Sequence, residues 1–413
     1  MSSVHLYPSD DDDDESKPSK RPKPTPKSVR KKKTKKAAFV YPGPPPPITG
    51  FLEPIKTATL QPITAKLLLP NYRPPKPAPV PAGGYLVVDL FCSIGGVSYA
   101  AKQLGHTVIM AIDFDPKRLA VHQHNHPDAF HKCLELGPNA EDFVVGKIRE
   151  LVAPDQWDRL WVHASPPCQA QSMLCSIVPN SDQVAHNKKA KRKADGVDLV
   201  KWALHLAVEV LKSPQFSLEE VDDRDGHVRG AITSVMRSNP GAIDFDTFDM
   251  SDYGVPQHRH RIIAARPATI HALRNAPSLR RSKVSIRDAL GDRIPADAVY
   301  YCGPKNAHPI PERAKKCTKT YGKWTDGRVQ WFSLDRPAPA VAGELVRWLD
   351  AEFVALEENA NLSADDIGLL MSFPVGAISW PANVPRTRQI EGYGNAVCPL
   401  FAMAMFRAAS TEV

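Results

Sequence analysis

A chain of 413 residues, 42% of them hydrophobic, is long enough for two or three domains with a sizeable core. Its formal charge of +8 and pI of about 9.0 favour a polyanionic partner such as nucleic acid. No stretch approaches the roughly 18 uninterrupted apolar residues of a membrane span, the acidic N-terminus does not read as a signal peptide, and the seven scattered cysteines contain no CxxC pair, which argues against a metal site. An odd, dispersed set of thiols fits an intracellular protein, nuclear in a eukaryote or its viruses and cytoplasmic otherwise.

Residues 1–80 read as a disordered tail. Asp10 to Glu15 is an acidic run, and Lys17 to Lys36 holds eleven Lys or Arg, so the first 36 residues carry +5 of the total charge. Pro44 to Pro47 and the proline-rich Pro70 to Pro81 complete a segment that cannot bury enough apolar surface to offset its ordering entropy. The basic block suits phosphate contact, nuclear import or plain solubility.

Folded structure is expected from Tyr85. Leu86 to Phe91 is a buried-strand run, Ser93-Ile94-Gly95-Gly96 a tight turn, and Val97 to Leu104 a helix. Thr107 to Ile112 is the second strand, ending in Asp113-Phe114-Asp115. An acid there, about 20 residues past the glycines, is placed to bind ribose hydroxyls. With no phosphate-cradling glycine run and no Walker lysine, S-adenosylmethionine fits better than ATP, and NAD remains open.

Phe143 to Val152 reads as a helix and Leu160 to Ala164 as a buried strand. Pro166 and Pro167 cannot continue a ladder, so Cys168 falls on a loop at the carboxyl end of that strand. Such a cysteine suits a nucleophile, and, taken alone, is more often a small residue in a rigid turn. The basic stretch Asn187 to Lys193 suits a loop over a phosphate backbone or a solvated charge run. Val197 to Leu211 is an amphipathic helix, and Gln215 to Leu218 a strand leading into Glu219-Glu220-Val221. Ile243 to Phe248, Tyr253 to Pro256 and Arg261 to Ala265 read as late strands. Residues 268–332, rich in Arg, Lys and Pro, look like a separate module. Val341 to Leu356 and Pro399 to Ala409 read as helices.

Five blocks in this order resemble the cytosine-C5 DNA methyltransferases: Asp89 to Gly96, Pro166-Pro167-Cys168-Gln169, Glu219-Glu220-Val221, Gly254 to Arg261, and Gly394-Asn395-Ala396-Val397. The resemblance implies an α/β fold with a doubly wound, mostly parallel sheet, of the class I S-adenosylmethionine-dependent methyltransferase type. It implies a catalytic domain over 81–267, a target-recognition region over 268–332, and a C-terminal segment, 333–413, that completes the catalytic domain. Cys168 would attack carbon 6 of a flipped-out cytosine, Glu219 would protonate N3, and Arg261, with Arg259 beside it, would stabilise charge on the ring. Asp89, Phe91, Ser93, Ile94, Gly95, Gly96, Asp113, Phe114, Glu135, Pro166 and Asn395 would form the cofactor site. Arg280, Arg281, Lys283, Lys315, Lys316 and Lys319 are candidates for phosphate or base contacts.

Three positions depart from the family pattern. Ser93 stands for a glycine, which suits a turn only if its φ stays negative. Gln171 stands near an aromatic position. Glu220 stands for an asparagine, adding a second carboxylate beside Glu219 and raising one pKa of the pair. Duplex DNA is the expected partner. A tRNA methyltransferase and a catalytically silent DNA-binding relative are the alternatives.

Overall fold

The computed structural model describes residues 83–167, 196–223, 225–294, 299–303, 322–323, 330–332, 334–340, 350–354, 359–382 and 384–410. The tail, Cys168, Gln171, the basic stretch 187–193, Lys315, Lys316 and Lys319 lie outside the described residues.

The fold is built around β1 (Leu86–Leu90), whose five residues are all buried. A strand covered on both faces has no solvent side to mark with polar residues, and only Asp89 interrupts its apolar run. It pairs in parallel with β2 (Thr107–Asp113) on one side and β4 (Leu160–Ala164) on the other. β3 (Phe130–Cys133) extends the sheet beyond β2, and β5 (Gln215–Val221) beyond β4, both in parallel. β7 (His260–Ala265) then inserts antiparallel between β5 and β6 (Asp244–Asp249). The order β3-β2-β1-β4-β5-β7-β6 reverses direction between β1 and β4, which opens a crevice at the strands' carboxyl ends.

Side chains alternate across the sheet and divide the core in two. Val87, Trp161, Ile263 and Ala265 face one layer, made by α1 (Gly96–Gln103), α6 (Pro267–Asn275), α7 (Ile286–Leu290) and the C-terminal helices α8 (Ala364–Leu370), α9 (Arg386–Asn395) and α10 (Pro399–Ser410). Val88, Leu90, Val162, Leu218 and Ile262 face the other, made by α3 (Glu141–Leu151), α4 (196–205) and α5 (His227–Ser238). α4 runs over 196–205 and widens into a π-helical turn at Leu206–Val210. α2 (Pro116–Asn125) begins where its residue types require: Pro116 opens it, and the Asp115 carboxylate caps it by accepting from the backbone N–H groups of Lys117 and Arg118.

A second, antiparallel sheet has the order β12-β11-β8-β10-β9. Its strands are β8 (Val299–Gly303), β9 (Gly322–Lys323), β10 (Gln330–Phe332), β11 (Asp350–Val354) and β12 (Asn359–Asn361). The expected helix over 341–356 is therefore corrected at 350–354. Those residues pair with Val299–Gly303, and tertiary pairing overrides a helical spacing of apolar residues. Residues 268–294, which the resemblance gives to the recognition region, lie largely in α6 and α7, in the same core layer as α10. The second sheet begins only at Val299.

Candidate active site

The first turn after β1 forms one wall of the crevice. Phe91, Ser93 and Gly95 take φ values of 59°, 49° and 95°. Ser93 thus adopts the left-handed conformation that the sequence reading reserves for glycine, and that expectation is corrected. Its backbone N–H donates to Asp113 Oδ2 at 2.9 Å, an anchor at the end of β2 that holds the strained residue in place. Asp113 Oδ1 accepts from the Asp115 N–H at 2.8 Å. Burial raises the Asp113 pKa, and these two donors oppose the rise. Each Asp113 oxygen keeps a further lone pair for a ligand.

The expected cofactor residues divide into two groups. Gly95, Ile94 and Gly96 serve close packing. A Cβ on Gly96 would lie 2.0 Å from the Val397 carbonyl oxygen, so only glycine lets the closing block come this near. Ile94 is buried against Gly392 of α9. Phe91 meets Trp202 edge-on at 6.4 Å. Phe114, by contrast, is a half-exposed aromatic at the end of β2, and Glu135 is exposed just past β3. The Ser93 hydroxyl is buried with no hydrogen-bond partner among the described residues. Asn395 ends α9 and is partly exposed.

The opposite wall is the turn leading to Cys168. Ser165 donates its N–H to the Leu90 carbonyl and its hydroxyl to the Phe91 carbonyl, both at 3.3 Å. Pro166, buried, and Pro167 follow. The first block and the start of the nucleophile block are therefore hydrogen-bonded to each other. Cys168 itself lies outside the described residues.

The acid block lies beside that turn, because Leu218 is registered with Ala164. Glu219 and Arg261 come together across the β5–β7 ladder. Arg261 is opposite Val221, two residues along from Glu219, so both side chains share one face. Arg261 Nε lies 2.9 Å from Glu219 Oε1 with both side chains largely buried. The contact is an ion pair whose angle falls outside hydrogen-bond geometry, since that oxygen has no hydrogen-bond partner among the described residues. Arg261 Nη1 donates to the His260 carbonyl.

Arg259 does something else. Its guanidinium is buried and Nη2 donates to the carbonyls of Gly394 and Ala396 at 3.3 and 3.4 Å. It fastens the closing block rather than joining Glu219. Glu220 is 1% exposed and, by strand alternation, faces the layer opposite Glu219. Burial pushes its carboxyl well above the usual range, Glu219 and Asp223 push it further, and the Val221 N–H and Arg261 oppose them. The acid block thus places one carboxyl against Arg261 and buries the other on the opposite face of the strand, where burial raises its pKa.

Cys398 escaped the sequence reading. Its thiol lies within the fields of Arg259, Arg261 and Glu219, and burial pushes its pKa up to about 11, away from the thiolate form. Its place directly after the closing block was the available signal. Arg280 and Lys283, two of the candidates for phosphate or base contact, each lie beside acids: Arg280 with Asp252 at 3.0 Å, and Lys283 with Asp252 and Asp249 at 3.3 and 3.7 Å. Arg281 lies over Gly254. No group of three or more metal-ligating side chains occurs among the described residues, and none of their helices is long and apolar enough to cross a membrane.

Comparison with known proteins bears on this geometry. The type II methyltransferase M.AgeI of Thalassovita gelatinovora is 30% identical over 182 residues, covering 42% of this chain and 38% of that protein. M.XorII of Xanthomonas oryzae is 27% identical over 215 residues, covering 50% and 45%. The chain thus spans less than half the length of these two relatives. The solved structure of the Entamoeba histolytica methyltransferase EhMeth superposes with a TM-score of 0.52 at 15% identity, covering 79% of this chain and 97% of that one, a likeness of fold. The C-5 cytosine-specific DNA methylase family matches residues 85–411, and the chain belongs to that family.

Proposed function

We propose that this protein is a DNA (cytosine-5)-methyltransferase that modifies a flipped-out cytosine through a covalent Cys168 intermediate. The observation that carries the reading is the Glu219–Arg261 pair, set on the strand next to the turn that leads into Cys168. Carbon 5 of cytosine is a poor nucleophile. A thiolate bond to carbon 6 moves the ring's electrons toward carbon 5 and N3. Glu219 first takes up a proton and then delivers it to N3, and Arg261 offers guanidinium N–H groups to the charge that grows on the ring. Once carbon 5 carries the methyl group, a base removes its proton, the carbon 6–sulfur bond breaks, and the Cys168 thiolate is regenerated. A duplex hides carbon 5, so the base must leave the stack.

S-adenosylmethionine, when bound, supplies an electrophilic methyl on a cationic sulfonium. The residues present fit it: an exposed aromatic at Phe114, the Asp113 carboxylate, and a buried, unpartnered Ser93 hydroxyl at the same turn. Glu135 and Asn395 complete the set, while Asp89, Phe91, Ile94, Gly95, Gly96 and Pro166 shape it. Cys168, Glu219 and Arg261 are the catalytic residues, and Arg259 is a positioning residue. We assign 81–267 and 333–413, apart from the strands β11 and β12, to the catalytic domain, with α6 and α7 packed on it, and the second sheet, β11 and β12 included, to target recognition.

Methyl transfer from labelled cofactor to duplex DNA and to tRNA tests this. The expected result is label at carbon 5 of cytosine in DNA. Label in tRNA alone would move the activity to RNA. Cofactor binding without transfer to either would make the chain a silent relative.

A further inference from the structure

Behind the first turn lies a chain of polar side chains that the reaction does not use. Asp89, on β1, is 1% exposed. The Ser98 hydroxyl of α1 donates to Asp89 Oδ2 at 2.6 Å. His122 Nε2, from α2, lies 2.9 Å from the same hydroxyl. His122 Nδ1 lies 2.8 Å from Nε2 of His131, on β3. His131 is half-buried, whereas His122 has no exposure.

One proton count orients the chain. A serine hydroxyl has a single proton, and at 2.6 Å it belongs to the carboxylate, the stronger acceptor. Ser98 Oγ therefore accepts from His122 Nε2–H. That leaves the lone pair of His122 on Nδ1, so it accepts from His131 Nε2–H. Every donor points toward Asp89. The cluster also supports the turn directly: a Cβ on Gly95 would meet His126 Nε2 at 2.9 Å and His122 Cδ2 at 3.0 Å.

We propose that Ser98, His122 and His131 form a proton relay by which the buried Asp89 carboxyl gains and loses its charge without touching water, and that this charge helps the turn distinguish a cationic methyl donor from its neutral product. A proton taken up by His131 Nδ1 sends the Nε2 proton to His122 Nδ1. His122 sends its Nε2 proton to Ser98, and Ser98 sends its own to Asp89. One proton enters, Asp89 becomes neutral, and both imidazoles end neutral in the other tautomer. The coupling to the cofactor rests on the function proposed above.

The surrounding groups favour transfer over storage of charge. Asp89 faces His163 from β4, Cys92 from the turn, and His122 and His131 from α2 and β3, with His126 and Lys102 at the cluster's edge. Burial holds His122 and His126 down to about 3 and lowers His131 too, where a hydrogen bond with the Ala129 backbone and the Asp89 charge oppose it. Burial raises Asp89.

Nitrogen NMR of histidine in the full chain reads the tautomers without ligand or turnover. The relay requires His122 protonated at Nε2, and a His131 titration that shifts in Asp89→Asn and in Ser98→Ala. His122 protonated at Nδ1, or a His131 titration unmoved by both substitutions, would overturn it. Calorimetry of cofactor binding, in mildly acidic buffers of different ionisation heat, reads the coupling. The wild type should release more protons on binding S-adenosylmethionine than on binding its neutral demethylated product, and Asp89→Asn should show no difference between them. Equal release in the wild type would sink the coupling. Failure of the wild type to bind either ligand would overturn the cofactor assignment, and the tautomer measurement would still decide the relay.

Discussion

Arg261 and Glu219 meet Nε to Oε1 at 2.9 Å across an antiparallel strand pair, on the face of the sheet shared with Trp161 and Ile263. A strand ladder holds the two residues, so under the proposed function little reorganisation would be needed when charge develops beside them.

Removing Arg261 should therefore slow turnover far more than it weakens folding. Arg261→Ala is expected to lower kcat by roughly 10²- to 10³-fold, the range for losing one preorganised donor. Arg261→Lys should recover only a small part, because a lysine cannot present the same planar fork. Single-turnover methylation with the two variants and Glu219→Gln checks this. Losses in the double variant well below the product of the single losses would show that the pair acts as a unit.

Arg259 should behave differently although it has the same side chain. It donates to Gly394 and Ala396 in the closing block. Arg259→Lys is expected to weaken cofactor binding and stability together and to leave single-turnover kcat at saturating cofactor much less affected than Arg261→Lys does. Comparing cofactor Kd, unfolding midpoint and kcat for the two variants separates the roles.

The buried carboxyl of Glu220 sets a pH dependence of stability. Its folded pKa is raised above the unfolded value, mainly by burial. The folded state then binds more protons than the unfolded one as pH rises past the ordinary carboxyl range. Its contribution is fully present below the unfolded pKa and is lost as pH rises through the folded one. Urea unfolding across pH should show the wild type losing stability toward alkaline pH relative to Glu220→Gln. Parallel pH profiles for the two proteins would contradict the assignment.

Ser93 offers a test in which stability and binding part company. A left-handed φ in a non-glycine residue costs roughly 1–2 kcal/mol, and a glycine there would lose roughly 0.5–1 kcal/mol through extra unfolded-state entropy. Ser93→Gly also removes a buried hydroxyl without a partner. It should stabilise the protein by about 1 kcal/mol in denaturant unfolding. If that hydroxyl serves the cofactor, affinity falls in the same variant.

Much of the fold was legible because β1, β2, β4 and β5 carry short apolar runs ended by turn residues or acids, and runs of that kind survive in any context. The five blocks were legible as an order along the chain, and the ladder registers explain the order: Leu90, Ala164 and Leu218 lie in one row, so the block after each falls at one edge of the sheet. Direction was not legible. Arg259 and Arg261 are two residues apart, yet one turns to α9 and the other to β5, which depends on where β7 begins. The strand at 350–354 was hidden because its pairing with 299–303 is distant in sequence. The positive φ of Ser93 was hidden because its anchor, Asp113, is twenty residues away.

The most direct measurement is covalent trapping on duplex DNA containing 5-fluorocytosine, with S-adenosylmethionine, for wild type, Cys168→Ala and Arg261→Ala. Fluorine cannot leave as the carbon 5 proton does, so the enzyme should stay attached to DNA. The account predicts a stable protein–DNA band for the wild type, none for Cys168→Ala, and slower formation for Arg261→Ala. A wild-type protein that binds cofactor yet forms no band on any cytosine-containing duplex would contradict it, as would a band that persists in Cys168→Ala.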